Sequence, residues 1–404
     1  MSRKIKVGKI GLLDMLKFSN LPKVRQKKIN ATEAKEVTAD FPINDFARKM
    51  HPDRQEFVVE SILPHENAGA KTFVLKRADG ESAAYFRAGQ YLVTRFKIGD
   101  SLVSRPYSIT SSPKDTEDGR VALTVKGIPG GFVSDWVQKN LSVGDTVVTS
   151  APLGSFYYEG LRDCKKVIAV AIENGITPFL SMAYAIRDGI EDFDLTILYV
   201  NRREGGILCR EELDAIAAVC PKVKVVYVLS EEQKSGFEYG AVTAEMIEKY
   251  AEGKEFSLFV QGREKLCRLI DKEAEKLGID RKHYRRKSLK TVGSISEQPG
   301  YPQEKKDQTF RITVRQGAEK YEIDALASEP ILTAIERAGI RASSGCRSGE
   351  CGWCRSRLVS GSVYIPALTD GRRYADKDNG EIHPCRSYPT SDLTIAIPGC
   401  RDWT

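Results

Sequence analysis

The chain has 404 residues, of which 41% are hydrophobic and 29% charged, and its formal net charge is +7. This composition is typical of a soluble globular protein, and the length is enough for two or three domains. No run of eighteen apolar residues occurs and no signal peptide is recognisable, so we expect a cytoplasmic protein without a transmembrane segment.

Residues 1–54 form a basic N-terminal extension. Residues 1–30 contain nine Lys or Arg and one Asp, and apolar residues such as Leu13 and Phe18 are interleaved with these bases. Three interpretations stay open: a solvated arm, a segment that docks on an acidic partner protein, and a helix that lies on a membrane surface. Nucleic-acid binding is not expected, because the basic excess does not continue into the rest of the chain. The segment NDFARKMHP predicts a short helix before the first domain.

Residues 55–158 consist of short segments in which apolar and polar side chains alternate, and this pattern predicts a small antiparallel β-barrel. Within it, RPYS places a cation, an aromatic ring and a hydroxyl in four residues. Arg105 can pair with a phosphate, Tyr107 can lie against an isoalloxazine ring, and Ser108 can hydrogen-bond to the N5 region of a flavin. Together with Pro106, these residues resemble the R-x-Y-S signature of the ferredoxin–NADP reductase superfamily.

Two further motifs follow in the order of that family. Gly130, Gly131 and Ser134 lie at the start of a predicted amphipathic helix, and the backbone N–H groups of a helix N-terminus bind phosphate. The stretch APLGSFY matches the P-x-G-x-F end of the same domain. The resemblance implies that the G-x-x-S turn holds a flavin diphosphate, which favours FAD over FMN, and that Tyr107 and Ser108 face the reacting ring. The alternative is a barrel whose turns simply need glycine.

Residues 159–285 change to alternating strands and helices, beginning with KKVIAVAI and FLSMAYAIRDG. This alternation predicts a parallel, doubly wound α/β sheet. The segment resembles the NAD(P)H-binding half of the same superfamily. The resemblance implies that Gly175, Thr177 and Pro178 border the nucleotide.

Two motifs of this domain depart from the family pattern. Ile172 and Glu173 replace a pair of glycines that lets the backbone approach the nucleotide diphosphate, and a carboxylate at this place repels phosphate. Further on, Gln261-Gly262-Arg263 replaces Cys-Gly-Pro, so the cysteine that faces the nicotinamide in the family is absent. Functional NAD(P)H binding and a degenerate nucleotide site therefore both stay open, and NADH is not distinguished from NADPH.

The segment Arg281–Gln308 is polar, basic and rich in turn formers, and we interpret it as a linker, with residues 286–307 between the two flanking domains. Residues 308–404 then contain one C-x4-C-x2-C motif and a fourth cysteine after thirty further residues. These cysteines are Cys346, Cys351, Cys354 and Cys385. The spacing is that of the 2Fe–2S cluster of plant-type ferredoxins, whereas a zinc ribbon pairs two C-x2-C knuckles.

The segments around the four cysteines predict an α+β, ferredoxin-like (β-grasp) domain and resemble a plant-type ferredoxin. FRITV and YEID read as a hairpin, EPILTAIERAGI as a helix, and DLTIAIP as a closing strand. Structural zinc is the alternative to the cluster. His383 is expected to support the loop rather than to bind the metal.

The order of the three domains resembles that of the reductase components that serve oxygenases, of the phthalate dioxygenase reductase type. The resemblance implies a multidomain oxidoreductase that moves electrons from NAD(P)H through a flavin (FAD, with FMN possible) to the 2Fe–2S cluster. The electrons then pass to a protein acceptor such as an oxygenase, a cytochrome or another reductase component. Two alternatives stay open: an electron-relay subunit with a degenerate nucleotide site, reduced by another flavoprotein, and an iron–sulfur sensor without turnover.

Overall fold

The computed structural model describes residues 11–32, 41–128, 130–253, 255–289 and 295–399. The chain divides into two compact units, Met1–Ala47 and Arg48–Thr404. Helix α1 (Leu12–Asn30) belongs to the first unit and exposes large apolar side chains, among them Leu13 and Phe18. Helix α2 (Pro42–Met50) is the short helix predicted before the first domain. Residues 1–10 lie outside the described residues, and the docking role of the basic extension stays a prediction.

The first domain of the second unit is an antiparallel barrel with one helix. Its elements are β1 (Gln55–His65), β2 (Ala70–Arg77), β3 (Tyr91–Ile98), β4 (Ser101–Ser108), β5 (Arg120–Lys126), α3 (Phe132–Asn140) and β6 (Thr146–Thr149). The strands are ordered β4-β3-β6-β1-β2-β5, and a bridge between Ile109 and Leu123 closes the barrel. Because side chains alternate along each strand, Phe57 and Phe73 fill the interior, and α3 adds Val133 to this core. The predicted barrel is confirmed.

The second domain is a parallel sheet with helices between its strands. Its elements are β7 (Lys166–Ile172), α4 (Thr177–Arg187), β8 (Asp194–Asn201), α5 (Arg210–Val219), β9 (Val223–Leu229), β10 (Glu238–Tyr239), α6 (Ala244–Ala251), β11 (Ser257–Arg263), α7 (Glu264–Lys276) and β12 (Tyr284–Leu289). The order is β10-β9-β8-β7-β11-β12, so β7 lies between β8 and β11 and the strand order reverses there. In doubly wound sheets, ligands bind at the carboxyl ends of the strands at this reversal.

Strand β12 lies in a segment that the sequence predicts to be linker. It pairs in parallel with β11, with Gln261 opposite Lys287. Its arginines make ion pairs inside the domain. Arg285 Nε lies 3.0 Å from Asp163 Oδ1, and Arg286 Nη2 lies 2.9 Å from Glu264 Oε1. The linker interpretation is therefore wrong for residues 284–289, because their bases serve the interior of the fold rather than solvent.

The third domain is a mixed sheet that covers one helix. Its elements are β13 (Thr309–Gln316), β14 (Glu319–Leu326), α8 (Ile331–Arg337), β15 (Ser356–Ser360), β16 (Val363–Tyr364), α9 (Tyr374–Asp378), β17 (Glu381–Ile382), β18 (Tyr388–Pro389) and β19 (Leu393–Ile397). The main sheet is ordered β14-β13-β19-β15-β17, with β13 parallel to β19. Helix α8 buries Ile331, Leu332 and Ile335 against it. The predicted hairpin, helix and closing strand are all present.

Aromatic packing fixes the barrel against the parallel sheet. Phe156, in the loop after β6, has its ring centroid 5.7 Å from that of Phe179 on α4 and 5.6 Å from that of Phe259 on β11. Ser181 Oγ donates a hydrogen bond of 2.8 Å to the carbonyl oxygen of Ser111 across the same boundary. The carboxyl ends of the parallel strands are thereby held close to β4.

Candidate functional site

The four cysteines predicted to bind a cluster come together in the third domain. The backbone N–H groups of Cys346 and Cys351 each donate to the other residue's Sγ at 3.3 Å, and hydrogen bonding from the Cys351 thiol lowers the pKa of Cys346. The other two, Cys354 and Cys385, are buried and hydrogen-bonded to each other. None of the cysteines in the described part of the chain forms a disulfide. The arrangement offers four convergent thiol sulfurs, two of them near the surface.

Local backbone geometry shapes the loop that carries Cys346 and Cys351. Gly349 has φ of +82°, and a Cβ there would lie 2.4 Å from the carbonyl oxygen of Thr369, so only glycine fits. His383 Nδ1 hydrogen-bonds to the carbonyl oxygen of Gly349 at 2.7 Å. His383 thus supports the loop, in agreement with the sequence interpretation.

Strand β4 presents the R-x-Y-S residues. In the register, Tyr107 pairs with Leu92 and Ser108 with Tyr91 of β3. Burial raises the pKa of Tyr107 to about 12, so its phenol stays protonated near neutral pH. Burial and the neighbouring Arg347 lower the pKa of Arg105 to about 10, although Glu336 acts in the opposite direction. Pro106 lies between them on the same strand.

The glycines and serine of the second motif form the N-terminus of α3. Gly131 is the N-cap residue, no side chain of the described residues caps the first turn, and Gly130 has φ of +73°. A Cβ on Gly131 would lie 2.5 Å from Ser134 Oγ and 2.9 Å from the carbonyl oxygen of Ile128. The turn therefore leaves uncapped N–H groups in a cradle that a larger residue would fill.

The predicted nucleotide residues lie at the carboxyl end of β7, where the strand order reverses. Thr177 and Pro178 begin α4, whose first turn has no side-chain cap among the described residues. A Cβ on Gly175 would lie 2.2 Å from the carbonyl oxygen of Gln261 on β11, so glycine is required for the two backbones to approach. Gln261 Oε1 is buried without a hydrogen-bond partner among the described residues.

The residues that depart from the family pattern close this end of the sheet. Glu173 has φ of +51°, a left-handed backbone that favours glycine. Its carboxylate pairs with Arg263 Nη2 at 2.9 Å and with Arg202 Nε at 3.5 Å. Ile172 packs against Gly262, because a Cβ added to Gly262 would lie only 2.6 Å from the Cβ of Ile172. Glu173 thus pairs with two arginines at the end of the sheet where the sequence predicts the nucleotide.

Comparison with known proteins assigns each of the three domains. Residues 65–158 match the family described as "Oxidoreductase FAD-binding domain", residues 174–272 match "Oxidoreductase NAD-binding domain", and residues 314–390 match "2Fe-2S iron-sulfur cluster binding domain". The chain is therefore an oxidoreductase with an FAD-binding, an NAD-binding and a 2Fe–2S domain, in the order that its resemblance to the ferredoxin–NADP reductase superfamily predicts.

Several characterised proteins resemble this reductase over most of its length. The glycine betaine monooxygenase reductase subunit of Chromohalobacter salexigens is 26% identical over 334 residues, covering 79% of this chain and 89% of the relative. The NADH oxidoreductase HCR of Escherichia coli is 24% identical over 314 residues, covering 77% and 89%. The structure of phthalate dioxygenase reductase superposes with a TM-score of 0.61 at 21% identity, covering 86% of this chain and 98% of that one.

The sites of this reductase differ in how well they suit the three cofactors of its domain families. The four sulfurs are the donor set of a 2Fe–2S cluster. The cradle at Gly131 and the uncapped N-terminus of α3 suit a flavin diphosphate. The candidate nucleotide site suits its cofactor only in part. Gln261 offers an acceptor for a ligand N–H, whereas Glu173 presents a carboxylate where a diphosphate is expected.

Sequence reasoning missed Glu336, which connects strand β4 to the loop that carries Cys346 and Cys351. The Glu336 side chain, 2% exposed, receives hydrogen bonds from Arg347 Nη1 at 2.6 Å and from the backbone N–H of Ser104 at 3.2 Å. Arg105 Nη1 lies 3.5 Å from its second carboxylate oxygen. Glutamate on a short helix carries no motif, and its partner Ser104 is 232 residues away in sequence, so no sequence signal identified it.

Sequence reasoning also missed Lys287, on β12. Its Nζ donates a hydrogen bond of 3.2 Å to Ser108 Oγ and lies 5.1 Å from the centroid of the Tyr91 ring. The basic run that contains Lys287 was interpreted as linker. The alternation that marks buried strands is obscured there by three consecutive basic residues.

Proposed function

We infer that this protein is an NAD(P)H-dependent oxidoreductase that moves electrons through FAD to a 2Fe–2S cluster and on to a protein acceptor. The three domain matches support this function, and so does the order of the domains in the superposition on phthalate dioxygenase reductase. Hydride acceptance, release of electrons one at a time, and single-electron transfer are the chemistry that the bound flavin and cluster supply.

The observation that carries the proposal is that the three candidate sites meet at one place. Ser108 and Tyr91 are register partners on β4 and β3 of the barrel. Burial raises the pKa of Tyr91, and electrostatic interactions with Cys351, Cys346 and Glu350 act in the same direction. The lysine that reaches Ser108 comes from the strand next to Gln261, at the carboxyl end of the parallel sheet. Short distances between the sites are what sequential electron transfer requires.

Within this proposal the residues have distinct roles. Gly130, Gly131 and Ser134 bind the flavin diphosphate through backbone N–H groups, and Arg105 and Pro106 support it from β4. Tyr107 and Ser108 contact the ring, where their hydroxyl groups serve as hydrogen-bond donors. Gly175, Thr177 and Pro178 admit the nucleotide at the carboxyl end of β7. Cys346, Cys351, Cys354 and Cys385 ligate the cluster.

For the acceptor we propose an oxygenase-type protein, which docks beside the cysteine loop. Relatives named as reductase components of glycine betaine monooxygenase and of 3-ketosteroid-9-alpha-monooxygenase support this class of partner. Trp353, between two of the cysteines, is 48% exposed and gives the loop an apolar contact surface. Exposed aromatic residues are favoured in protein interfaces.

Anaerobic stopped-flow spectroscopy tests the proposed function. Cofactor-replete protein is mixed with NADH and, separately, with NADPH, and the absorbance of flavin and cluster is followed. We expect flavin bleaching followed by cluster reduction, and the faster donor identifies the physiological nucleotide. Bleaching by dithionite but by neither nucleotide would refute electron entry from NAD(P)H.

One observation favours a second candidate, an electron-relay subunit that another flavoprotein reduces. Glu173 pairs with Arg263 and Arg202 in the place where the family binds a diphosphate. In a relay, NAD(P)H binds weakly, but the flavin and the cluster still accept and pass on electrons. The same stopped-flow experiment separates the two candidates, because a relay shows fast reduction only when a reduced protein donor is added.

A further inference from the structure

Lys287 occupies an unusual position for a lysine, at the junction of the three domains. Strand β12 is held in place by its neighbours, since Arg285 pairs with Asp163 and Arg286 pairs with Glu264 and Asp271. Lys287 is the third base of this run, and its side chain leaves the parallel sheet and reaches the barrel. The two arginines are thus used for structure, and the lysine is directed to the candidate flavin site.

The surroundings of the Lys287 ammonium are largely apolar. Its Nζ lies 5.1 Å from the centroid of the Tyr91 ring and 5.8 Å from that of Phe156, and its hydrogen bond is to Ser108 Oγ at 3.2 Å. Burial lowers the pKa of Lys287 to about 8, and the carboxylate of Glu350 acts in the opposite direction. The ammonium is therefore still the main form at pH 7.

A partly buried ammonium without a close carboxylate is costly, because desolvation is not compensated by an ion pair. No ion pair of Lys287 occurs among the described residues, in contrast to Arg285 and Arg286. A positive charge kept in such a place suits a ligand that carries negative charge. Its hydrogen-bond partner, Ser108, is one of the two residues proposed to contact the flavin ring, so the ring is the ligand that this position fits.

We propose that Lys287 faces the flavin ring and stabilises the negative charge that the ring carries when it is reduced. The inference rests on the proposed function. A hydride brings two electrons and one proton to the neutral oxidised ring, and the product bears one negative charge. The ammonium of Lys287 favours that product over the neutral oxidised ring, and thereby raises the flavin reduction potential.

The test is the reduction potential of the bound flavin, which needs no turnover. Lys287→Met removes the charge and keeps an apolar side chain of similar length, and Lys287→Arg keeps the charge. Lys282→Met removes an exposed lysine from the turn before β12 and serves as the matched control. FAD content, cluster absorbance and thermal unfolding are recorded first, and Lys287→Gln replaces Lys287→Met if that variant does not fold. Flavin potentials then come from anaerobic titration with redox dyes.

We expect Lys287→Met to lower the ratio of reduced to oxidised flavin at a fixed potential at least tenfold, which is about 30 mV for a two-electron couple. Lys287→Arg should stay within about threefold of the wild type, and Lys282→Met should not differ from it. An unchanged flavin potential in folded, FAD-loaded Lys287→Met would refute the role of Lys287 and leave the proposed function standing. Wild-type protein that binds no flavin would instead refute the proposed function, and the inference with it.

Discussion

Replacing Glu173 by glycine tests whether this carboxylate limits nucleotide binding. Glu173 stands where the family has glycine, and it holds Arg263 at 2.9 Å and Arg202 at 3.5 Å. Glu173→Gly removes the charge that opposes a diphosphate and releases Arg263 from its ion pair with Glu173, while Arg202 keeps Glu231 as a partner. We therefore expect tighter binding of NADH, NADPH or both.

The size of the effect follows from the exposure of these partners. The side chains of Arg263 and Arg202 are 54% and 64% exposed, so each ion pair contributes at most about 1 kcal/mol. One freed arginine that hydrogen-bonds to a phosphate contributes roughly 1.5–3 kcal/mol, or about a ten- to hundredfold lower Kd. Glycine also relieves the left-handed strain at residue 173, on the order of 1 kcal/mol, so the free energy of unfolding should change little.

The assay is equilibrium titration of the FAD-loaded protein with each nucleotide by isothermal calorimetry. Glu173→Gln keeps the size and the backbone strain and removes the charge, so it separates charge from space. Glu231→Gln is the matched control, because Glu231 also pairs with Arg202, at 3.7 Å, but is itself half exposed. If charge is the cause, Glu173→Gln recovers most of the gain and Glu231→Gln recovers almost none.

Two results would contradict this reasoning. Equal nucleotide affinity in the wild type, Glu173→Gln and Glu173→Gly would show that the carboxylate does not stand in the path of the ligand. Weaker binding in Glu173→Gly would show that Glu173 contributes to the nucleotide site, for example by accepting hydrogen bonds from ribose hydroxyls.

Three further predictions concern the cluster, the contact of Glu336 between the third domain and the barrel, and the ion pair that anchors β12. Cys351→Ser should abolish the visible absorbance and the electron paramagnetic resonance signal of the cluster while FAD stays bound, and an intact signal would exclude Cys351 as a ligand. Glu336→Gln should lower the free energy of unfolding by roughly 3 kcal/mol, because it leaves Arg347 without its buried partner; unchanged urea unfolding would contradict this. Asp163→Asn should lower the free energy of unfolding by a similar amount, roughly 3 kcal/mol, because Arg285 is buried against Asp163. It should also weaken FAD binding, because β12 is held less firmly. Thermal unfolding and fluorescence titration with FAD measure the two effects, and wild-type values for both would be inconsistent with an anchoring role.

Much of the fold was predictable because local patterns determine it. The short alternating segments became the barrel, and the run KKVIAVAI became the buried central strand β7. The C-x4-C-x2-C motif was informative because its cysteines are close in sequence and share one loop, so spacing alone defines the geometry. Cys385, which thirty intervening residues separate from Cys354, was added by the family spacing and lies beside Cys354 in the structure.

The contacts between domains were not predictable from local patterns. Lys287 meets Ser108, which is 179 residues away in sequence, and Glu336 meets the backbone of Ser104 across 232 residues. Neither residue belongs to a motif, and Lys287 lies in a basic run that resembles an exposed linker. Only the packing of complete domains shows that the three bases of the run have three different partners.

We expect phosphate recognition in this protein to depend more on helix N-termini than on arginine side chains. Two arginines that suit phosphates are already engaged, since Arg105 lies beside Glu336 and Arg263 pairs with Glu173. The first turns of α3 and α4, in contrast, have no side-chain caps among the described residues, so no capping side chain competes for their backbone N–H groups, although Pro178 in α4 has no N–H. At α3 the acidic residue of the first turn, Asp135, pairs with Lys139 at 2.8 Å, whereas at α4 Glu173 lies in the turn before the helix. We therefore expect the candidate flavin site to bind phosphate through the N-terminus of α3 despite the engaged Arg105, and we expect Glu173 to weaken the candidate nucleotide site.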